Sequence, residues 1–514
     1  MVTHYLGLKN AFDGYLAGAV SAEELKPTAA AFGIYQQRNG SFMVRIRVNG
    51  GEMSCKWLEG VADVLASVGG YAHLTSRQDI QLHDVPAAEV LNAVTAVECI
   101  GLPFRGGGGN TYRNIVVGAD SGLSPETVFD VYPYAQVANA ALLAEDKALS
   151  LPRKFKIGFF AGEGDVLRAA INDLGFVAQV RDGVRGFRVY AGGGLGRESR
   201  VGICLEEFLP AGQMLRALLA MVALFHDHGN RENRHQARLR FLLKDRGEEA
   251  FVALYRRYFE ATAESDGKGL PPETALPEGF AAGQGEAAAA SEGFGCWRAH
   301  AVWPTRFGEN VVSVRLYVPY GNLSAVQMRK IARLASGAGS PFVRLLTTQD
   351  VLVPFVAVSG LKRLYARLLA ELGDVDLTFR SYKGHILTCV GASVCKIGMV
   401  DAPAVADRIA EALDAYLPPD TPEKLACLRR VADEVRVSGC PNSCSAHPAV
   451  RFGIGCVNRR VDGVVRPYAQ VLTGAGVVDG VPRISTPVEG TGPVPVEALP
   501  EILLGLVAGG DVTA

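Results

Sequence analysis

Two stretches of the chain carry the same alternation of apolar and polar positions. Tyr71-Ala-His-Leu-Thr-Ser-Arg-Gln-Asp-Ile-Gln-Leu-His83 and Phe342-Val-Arg-Leu-Leu-Thr-Thr-Gln-Asp-Val-Leu-Val-Pro354 lie 271 residues apart, with Gln78-Asp79 falling on Gln349-Asp350. Alternation with a period of two marks a strand with one buried face. Upstream of each copy sits a second strand pattern, Val44-Arg-Ile-Arg-Val48 and Val314-Arg-Leu-Tyr-Val318, and a helix-like segment separates strand from strand in both. Two copies of one β-α-β unit predict an internal pseudo-twofold.

Each copy continues into a second mixed segment, over 126–245 and 380–514. Apolar periodicity near 3.6 predicts helices over Leu205 to Phe225, Gln236 to Leu243, Asp401 to Tyr416 and Thr421 to Glu434. Strands are expected at Phe155 to Phe159, Gly186 to Tyr190 and Ala469 to Leu472. Between the halves, Pro271 to Phe280 and the Ala/Gly/Glu-rich run from Ala281 to Cys296 have no apolar period and read as a linker.

Composition narrows the class without naming it. The 514 residues are 48% hydrophobic and 20% charged, which describes a globular chain of roughly three domains. With 52 basic against 53 acidic residues there is no global field for nucleic acid or an anionic membrane, so an anion site must come from a local cluster. The N-terminus, Met1-Val-Thr-His-Tyr-Leu-Gly-Leu-Lys9, has no signal-peptide pattern, and the most apolar stretch, Met214 to Phe225, is interrupted by Arg216. It is far short of the ~20 apolar residues of a membrane span. A cytoplasmic location is expected.

The ten cysteines are too scattered for a disulfide scaffold, yet Cys389-x5-Cys395 and Cys440-x3-Cys444 form two close pairs. Four thiolates can hold zinc or an iron–sulfur cluster. Zinc knuckles favour two to four intervening residues, whereas the Val390-Gly-Ala-Ser-Val394 spacer wraps backbone amides around something wider, which favours the cluster. A Cys nucleophile with His447 or His385 as base leaves three thiols unexplained.

This cysteine pattern, within Ser438-Gly-Cys-Pro-Asn-Ser-Cys444, resembles the cluster signature of the siroheme-dependent sulfite and nitrite reductases. Thr75-Ser-Arg-Gln-Asp-Ile-Gln-Leu-His83, Thr111-Tyr-Arg-Asn114, Leu151-Pro-Arg-Lys-Phe-Lys156 and Gly192-Gly-Gly-Leu-Gly196 are similar to that family's motifs in the family's order. The resemblance, over about residues 30 to 510, implies a mixed α/β (α+β), three-lobed fold. Its internally duplicated core has two ferredoxin-like β-α-β units, joined by two siroheme/[4Fe–4S]-binding α/β domains. The implied division is 1–125 with the first ferredoxin-like half, 126–245 as the first siroheme-binding domain, 246–295 as linker, 296–379 as the second half, and 380–514 as the [4Fe–4S]/siroheme domain. The implied cofactors are siroheme and a [4Fe–4S] cluster on Cys389, Cys395, Cys440 and Cys444, with Cys444 bridging both.

Strand alternation puts Lys154 and Lys156 on one face, and likewise Arg45 and Arg47. Either pair alone reads first as a solvated edge. The resemblance instead implies that Arg45, Arg113, Lys154 and Lys156 cage a small oxyanion. It further implies that Arg77, Gln81, His83, Arg153 and Asn442 contact siroheme, with Gly192, Gly193 and Gly194 permitting close backbone approach. In the second repeat Arg77 becomes Thr348 and His83 becomes Pro354, so one site per chain is expected. A dinucleotide loop at Gly192–Gly196, or more weakly at Gly106–Gly109, lacks a following amphipathic helix. No NAD, FAD or FMN site is expected, and electrons should come from an external donor protein such as ferredoxin or a flavoprotein. His226, His228 and His235 read as helix-end or surface residues; the cluster Arg231, Arg234, Arg238 and Arg240 is open between a solvated face and siroheme or donor contacts.

Lys156 tilts the expected reaction toward six-electron reduction of sulfite to sulfide, because nitrite enzymes of the family often resemble Arg-Lys-Trp-Asn at this segment; nitrite reduction to ammonia is the alternative. The chain departs from the family pattern at Ser445-Ala-His-Pro448, where a glycine usually follows the last cysteine, and at Val390–Val394. Two further alternatives are a zinc-stabilised non-catalytic protein and a precorrin-modifying relative. The intact Arg45, Arg113, Lys154 and Lys156 set speaks against the latter.

Overall fold

The structure is a computed structural model that describes residues 5–263, 270–280, 293–416 and 431–509. The repeat is present element by element. In the first half, strands Ile34–Gln36, Phe42–Ile46, Ile80–Val85 and Tyr71–Leu74 form one antiparallel sheet in that order. In the second, Val302–Pro304, Val311–Leu316, Val351–Ala357 and Phe342–Leu345 form another. Each sheet is completed by a strand of the other half. Asn322–Leu323 pairs with Tyr71–Leu74, and Glu52–Ser54 pairs with Phe342–Leu345. Strands of two or three residues bury too little to stand alone, and the exchange covers an otherwise open edge on each sheet.

Each exchanged strand runs directly into a helix, Cys55–Val68 or Ala325–Gly337. Ser54 and Ser324 cap these helices by accepting the backbone N–H of Trp57 and Gln327. The two helices pack on each other through apolar faces that include Val61, Leu65, Ile331 and Ala332, all in one core that runs through both halves. Fully burying a Leu or Ile side chain is worth about 1.5–3 kcal/mol, so this shared face binds the halves strongly.

The repeated Gln-Asp pair is part of the same joint. Gln78 and Gln349 both have left-handed backbone, with φ of 61° and 69°. The Gln78 amide donates to the carbonyls of Val117 and Leu345, reaching across to the second half, while Gln349 meets the His73 ring at 3.2 Å from the opposite side. Asp350 holds Arg315 at 2.7 Å, and Asp79 lies 3.8 Å from Arg45, the equivalent residue.

The flanking segments are duplicated too. Val116–Val117, Ile157–Phe160 and Leu174–Arg181 run parallel, followed by antiparallel Val184–Ala191 and Ile203–Pro210. Leu387–Thr388, Val435–Ser438 and Phe452–Val461 repeat the parallel set, followed by antiparallel Val464–Thr473 and Thr486–Pro487. The first of these sheets has its own core, built on Phe159, Phe176, Phe187 and Phe225. Among the described residues no helix is long and apolar enough to cross a membrane.

Several sequence expectations need correction. The segment from Leu205 to Phe225 is two elements, the strand Ile203–Pro210 and the helix Met214–His228. Leu205 and Leu209 fill the core as strand residues, and Pro210 stops the strand; a short apolar run does not by itself distinguish helix from strand. The helix expected at Gln236 is Leu239–Arg246, ended by Gly247 at φ 78°. The strand expected from Phe155 begins at Ile157, and Phe155 makes only an isolated bridge to Tyr112. Asp401 to Tyr416 is the helix Ala402–Tyr416. Most of the helix expected over 421–434, and most of the linker from Ala281 to Cys296, lies outside the described residues, although Cys296 falls in the helix Phe294–Ala301.

Candidate active site

Chain connectivity sends two sets of side chains to the edges of the paired sheets. Arg113 precedes the strand Val116–Val117, Lys154 and Lys156 precede Ile157–Phe160, and Asp173 precedes Leu174–Arg181, so all four sit at the N-terminal edge of one parallel set. Cys389 follows Leu387–Thr388, and Cys440 and Cys444 follow Val435–Ser438, at the C-terminal edge of the other set.

The cations are held by backbone. Arg45 donates to the Gly107 carbonyl at 3.1 Å, and Arg113 donates to the carbonyls of Gly108, Thr111 and Gly109 at 3.0, 2.9 and 2.9 Å. The glycines at 107–109 in the run 106–109 therefore offer carbonyls to two of the candidate arginines, Arg45 and Arg113. They can do so because Gly108 packs where a Cβ would lie 2.0 Å from the Ala30 carbonyl oxygen. Arg47 shares the face of Arg45 but is consumed structurally: it donates to Arg105 O, Tyr112 Oη and Asn139 Oδ1, and its guanidinium lies over the Tyr112 ring.

Lys154 and Lys156 differ from these arginines. Both are half-buried, and among the described residues neither ammonium has a hydrogen bond or an acidic partner. Burial, followed by the charge of Arg238, pushes Lys154 down to about 7, and the negative charge of Cys444 acts in the opposite sense. Lys156 is pushed well below the usual lysine range by burial and then by Arg77 and Lys154, again with Cys444 opposing. A solvated strand face is thereby excluded for this pair. Two half-buried lysines with no acidic partner among the described residues can accept the charge of a bound anion.

Asp173 was not marked in the sequence, and Arg238 only as one of an arginine cluster left open between a solvated face and cofactor or donor contacts. Asp173 is fully buried and binds the Arg238 guanidinium at 3.2 and 2.7 Å, while accepting the Lys156 backbone N–H at 2.8 Å. One carboxylate thus fixes both a lysine-bearing segment and a neighbouring cation. The available signal was the arginine cluster at 231–240; the structure separates it, with Arg238 in the site and Arg231 tied to the carbonyls of Ser150 and His226. His226 and His228 end their helix, bound to Asp227 and Tyr258, as expected of helix-end residues.

The remaining expected contacts are placed as follows. Arg77 spends its terminal nitrogens on Asn172 Oδ1, Asn114 O and Ile157 O, leaving a buried Nε without a partner. His83 stacks on Tyr71 with centroids 5.0 Å apart, meets Gln81 Oε1 at 3.1 Å and keeps an unpartnered buried Nδ1. Arg153 is pushed down by burial and by Arg234 and Arg238. At Gly193 a Cβ would lie 1.9 Å from the Ala170 carbonyl oxygen, and at Gly194 one would meet Arg238 and Arg240, so close approach there is to protein.

On the opposite side, Cys440 is buried, Cys389 and Cys395 half-buried and Cys444 exposed. The Gly439 N–H donates to the Cys389 sulfur at 3.3 Å, and Asn442 hydrogen-bonds Cys440 and favours its thiolate, although burial raises that thiol overall. Burial pushes Cys389 up to about 12, with the charge of Cys444 adding to it. Such thiols are held in the ionised form by binding a metal. Ser76 donates to the Cys444 carbonyl at 2.8 Å, bringing the C-x3-C loop onto the first repeat. Among the described residues no three His, Cys, Asp or Glu side chains gather closely enough to hold a single ion. Cys389 feels the charges of Cys444 and Cys440, and Cys440 those of Cys444 and Cys395, so the four sulfurs form one neighbourhood of the kind that holds a cluster.

Comparison with known proteins agrees. The description "Nitrite and sulphite reductase 4Fe-4S domain" matches residues 108–262, and "Nitrite/Sulfite reductase ferredoxin-like half domain" matches both 35–98 and 304–371. Together they span more than half of the chain. The chain belongs to the nitrite and sulfite reductase family. It is an oxidoreductase of that family, whose cofactors are siroheme and a [4Fe–4S] cluster. The twofold match of the half domain bears out the repeat read from the sequence. Among relatives, the ferredoxin–nitrite reductase of Synechococcus elongatus is 28% identical, covering 85% of this chain and 80% of the relative. The sulfite reductase [NADPH] hemoprotein beta-component of Acidithiobacillus ferrooxidans is 27% identical, covering 80% and 74%. The Mycobacterium tuberculosis NirA protein shares the fold, with TM-score 0.77 and 19% identity over 100% of this chain and 94% of that one. The matched 4Fe-4S segment contains none of Cys389, Cys395, Cys440 and Cys444, so their assignment as ligands rests on their spacing and arrangement.

Proposed function

We propose that this reductase converts sulfite to sulfide by six electrons, with a [4Fe–4S] cluster on Cys389, Cys395, Cys440 and Cys444 and siroheme joined to it through Cys444. When bound, these groups supply the iron at which the oxyanion is reduced and a route for electrons arriving singly. The chain's own residues do the rest. Arg45 and Arg113, fixed on the 106–109 carbonyls, orient the anion; Lys154 and Lys156 offset its charge and donate protons as its oxygens leave as water. A lysine near pH 7 suits both tasks, since it is part-protonated at the working pH. Arg77, Gln81, His83, Arg153 and Asn442, with the backbone of Gly192, Gly193 and Gly194, border the macrocycle in this reading.

The observation that carries the proposal is a pair of half-buried lysines that have no hydrogen-bond or acidic partner among the described residues and lie within reach of the charge of Cys444. The second lysine favours sulfite, which has more oxygens to bind than nitrite. Nitrite reduction to ammonia is the second reading, supported by relatives named as ferredoxin–nitrite reductases from Synechococcus elongatus and Haloferax mediterranei. Those names also support an external ferredoxin as electron donor. The deciding experiment is steady-state turnover of both anions with chemically reduced methyl viologen, in wild type and Lys156→Asn. Sulfite turnover should fall more than nitrite turnover. Equal losses, or nitrite as the faster wild-type substrate, would give the assignment to nitrite. A colourless, zinc-loaded protein, in place of one with siroheme absorption and about five irons per chain, would sink both readings.

A further inference from the structure

A serine, Ser445, stands directly after Cys444 where the family usually carries glycine, and it is turned inward. Ser445 and Ser438 are each 1% exposed, and their hydroxyl oxygens lie 2.6 Å apart. The backbone around them is pinned. Ser76 donates to the Cys444 carbonyl, and the buried Arg436 donates to the Ser445 carbonyl at 3.3 Å. The Ala446 N–H closes on the Ser443 carbonyl at 3.0 Å, both residues having left-handed backbone at φ 60° and 54°. The hydroxyl pair is thereby fixed in place.

A hydroxyl brings one proton and two lone pairs. The Ser438 oxygen accepts the Ser445 N–H at 3.4 Å, and one of the two hydroxyl protons closes the 2.6 Å contact. The other proton has no acceptor on the chain among the described residues. A buried hydroxyl without its partner costs about 1–3 kcal/mol, whereas two apolar side chains of similar shape would be nearly neutral, so stability alone gives no reason for the pair. Register says where the spare proton sits. Thr388 pairs with Val437 in the parallel sheet, so Cys389 falls beside Ser438, and side chains in register leave a sheet on one face. Both neighbours of Ser438 already bond Cys389: the Val437 carbonyl accepts its N–H at 3.3 Å, and the Gly439 N–H donates to its sulfur at 3.3 Å. With the N–H and O–H of Ser445 filling the Ser438 lone pairs, the Ser438 proton is the one left over, next to Cys389.

We infer that Ser438, held by Ser445, donates its hydroxyl proton to a sulfur of the [4Fe–4S] cluster at the Cys389 corner and so raises the potential at which the cluster takes up an electron. The inference rests on the cluster ligands proposed above. An added electron places negative charge on the cluster sulfurs, and a fixed O–H dipole aimed at them stabilises the reduced form more than the oxidised one. Ser438 and Ser445 touch neither substrate nor reacting oxygen; both are positioning residues, the first toward the cluster and the second toward the first.

The test is the midpoint potential of the cluster in the full, cofactor-loaded chain, from a dye-mediated redox titration followed by electron resonance. Ser438→Ala should shift the reduction equilibrium at least threefold toward the oxidised form, a fall of about 28 mV at about 59 mV per decade for one electron. Ser445→Ala, an equal truncation of the same pair, leaves the Ser438 proton in place and should stay within the scatter of wild type. Proton hyperfine spectra of the reduced protein, taken in H2O and in D2O, should lose one exchangeable coupling in Ser438→Ala and none in Ser445→Ala. Ser438→Thr and Ser438→Val, alike in shape and differing only in the hydroxyl, repeat the comparison if Ser438→Ala takes up no cluster. An unchanged potential in Ser438→Ala or Ser438→Val, equal shifts in the two alanine variants, or a spare proton found on a bound water with no coupling lost, overturns the inference. Failure of the cluster reading is separate: it appears as wild-type protein that binds zinc and shows no iron–sulfur signal, before any potential is measured.

Discussion

Asp173→Asn should destabilise the domain that carries it far more than one lost hydrogen bond. Asp173 is fully buried, and its partner Arg238 is 6% exposed, with contacts of 3.2 and 2.7 Å. The same carboxylate accepts the Lys156 N–H. An asparagine keeps one acceptor oxygen but turns an NH2 group toward the guanidinium and removes the charge that Arg238 was paired with. Leaving one member of a buried pair uncompensated costs about 3–5 kcal/mol. For a unit of this size about 1 kcal/mol corresponds to roughly 2–4 °C, so the melting temperature of the apoprotein should drop by roughly 10 °C. The assay is thermal unfolding of Asp173→Asn, Arg238→Gln and the double variant. Because the two residues are in contact, their losses should not add, and the double variant should be more stable than the sum of single losses implies, by about 0.5–3 kcal/mol. A single variant melting within about 2 °C of wild type, or strictly additive losses, would refute the claim that this pair anchors the cation cluster.

Acid should destabilise the joint between the halves. Burial holds His73 down to about 4 and His83 well below its ordinary value. A base with a lowered native pKa binds fewer protons folded than unfolded, so for His73 stability is present above about pH 6.5 and lost as pH falls toward about 4, by about 1.4 kcal/mol per pH unit, and His83 acts in the same direction. His73→Gln should flatten the dependence of melting temperature on pH between pH 6.5 and 4.5, and an unchanged slope would contradict it. Gly108→Ala places a Cβ 2.0 Å from Ala30 O and must shift the cradle of Arg113; anion KM should rise at least tenfold in viologen-driven assays, with absorption bands retained. Cys444→Ser should abolish magnetic coupling between cluster and siroheme iron in resonance spectra, and intact coupling would remove Cys444 as the bridge.

The sequence by itself carried the duplication and marked the two cysteine pairs and the basic segments as candidates, because each is a local signal. Strand alternation, Cys spacing and the Gln-Asp dipeptide survive as text wherever the chain goes. It failed at Leu205 to Phe225, where a strand and a helix share one apolar run and only the neighbouring strand Val184–Ala191 makes the first part extended. Strand alternation alone could not tell Arg45 from Arg47, which only the resemblance separated; the physical difference lies in Tyr112 and Asn139, distant in sequence, closing on Arg47 alone. The exchange of Glu52–Ser54 and Asn322–Leu323 between repeats has no sequence signature either, because strands this short are defined by the edge they meet. Likewise Asp173 became a site residue only through Arg238, 65 positions away. Tertiary structure decided which charges are satisfied and which are left facing Cys444, since that depends on burial and on partners that no local pattern encodes.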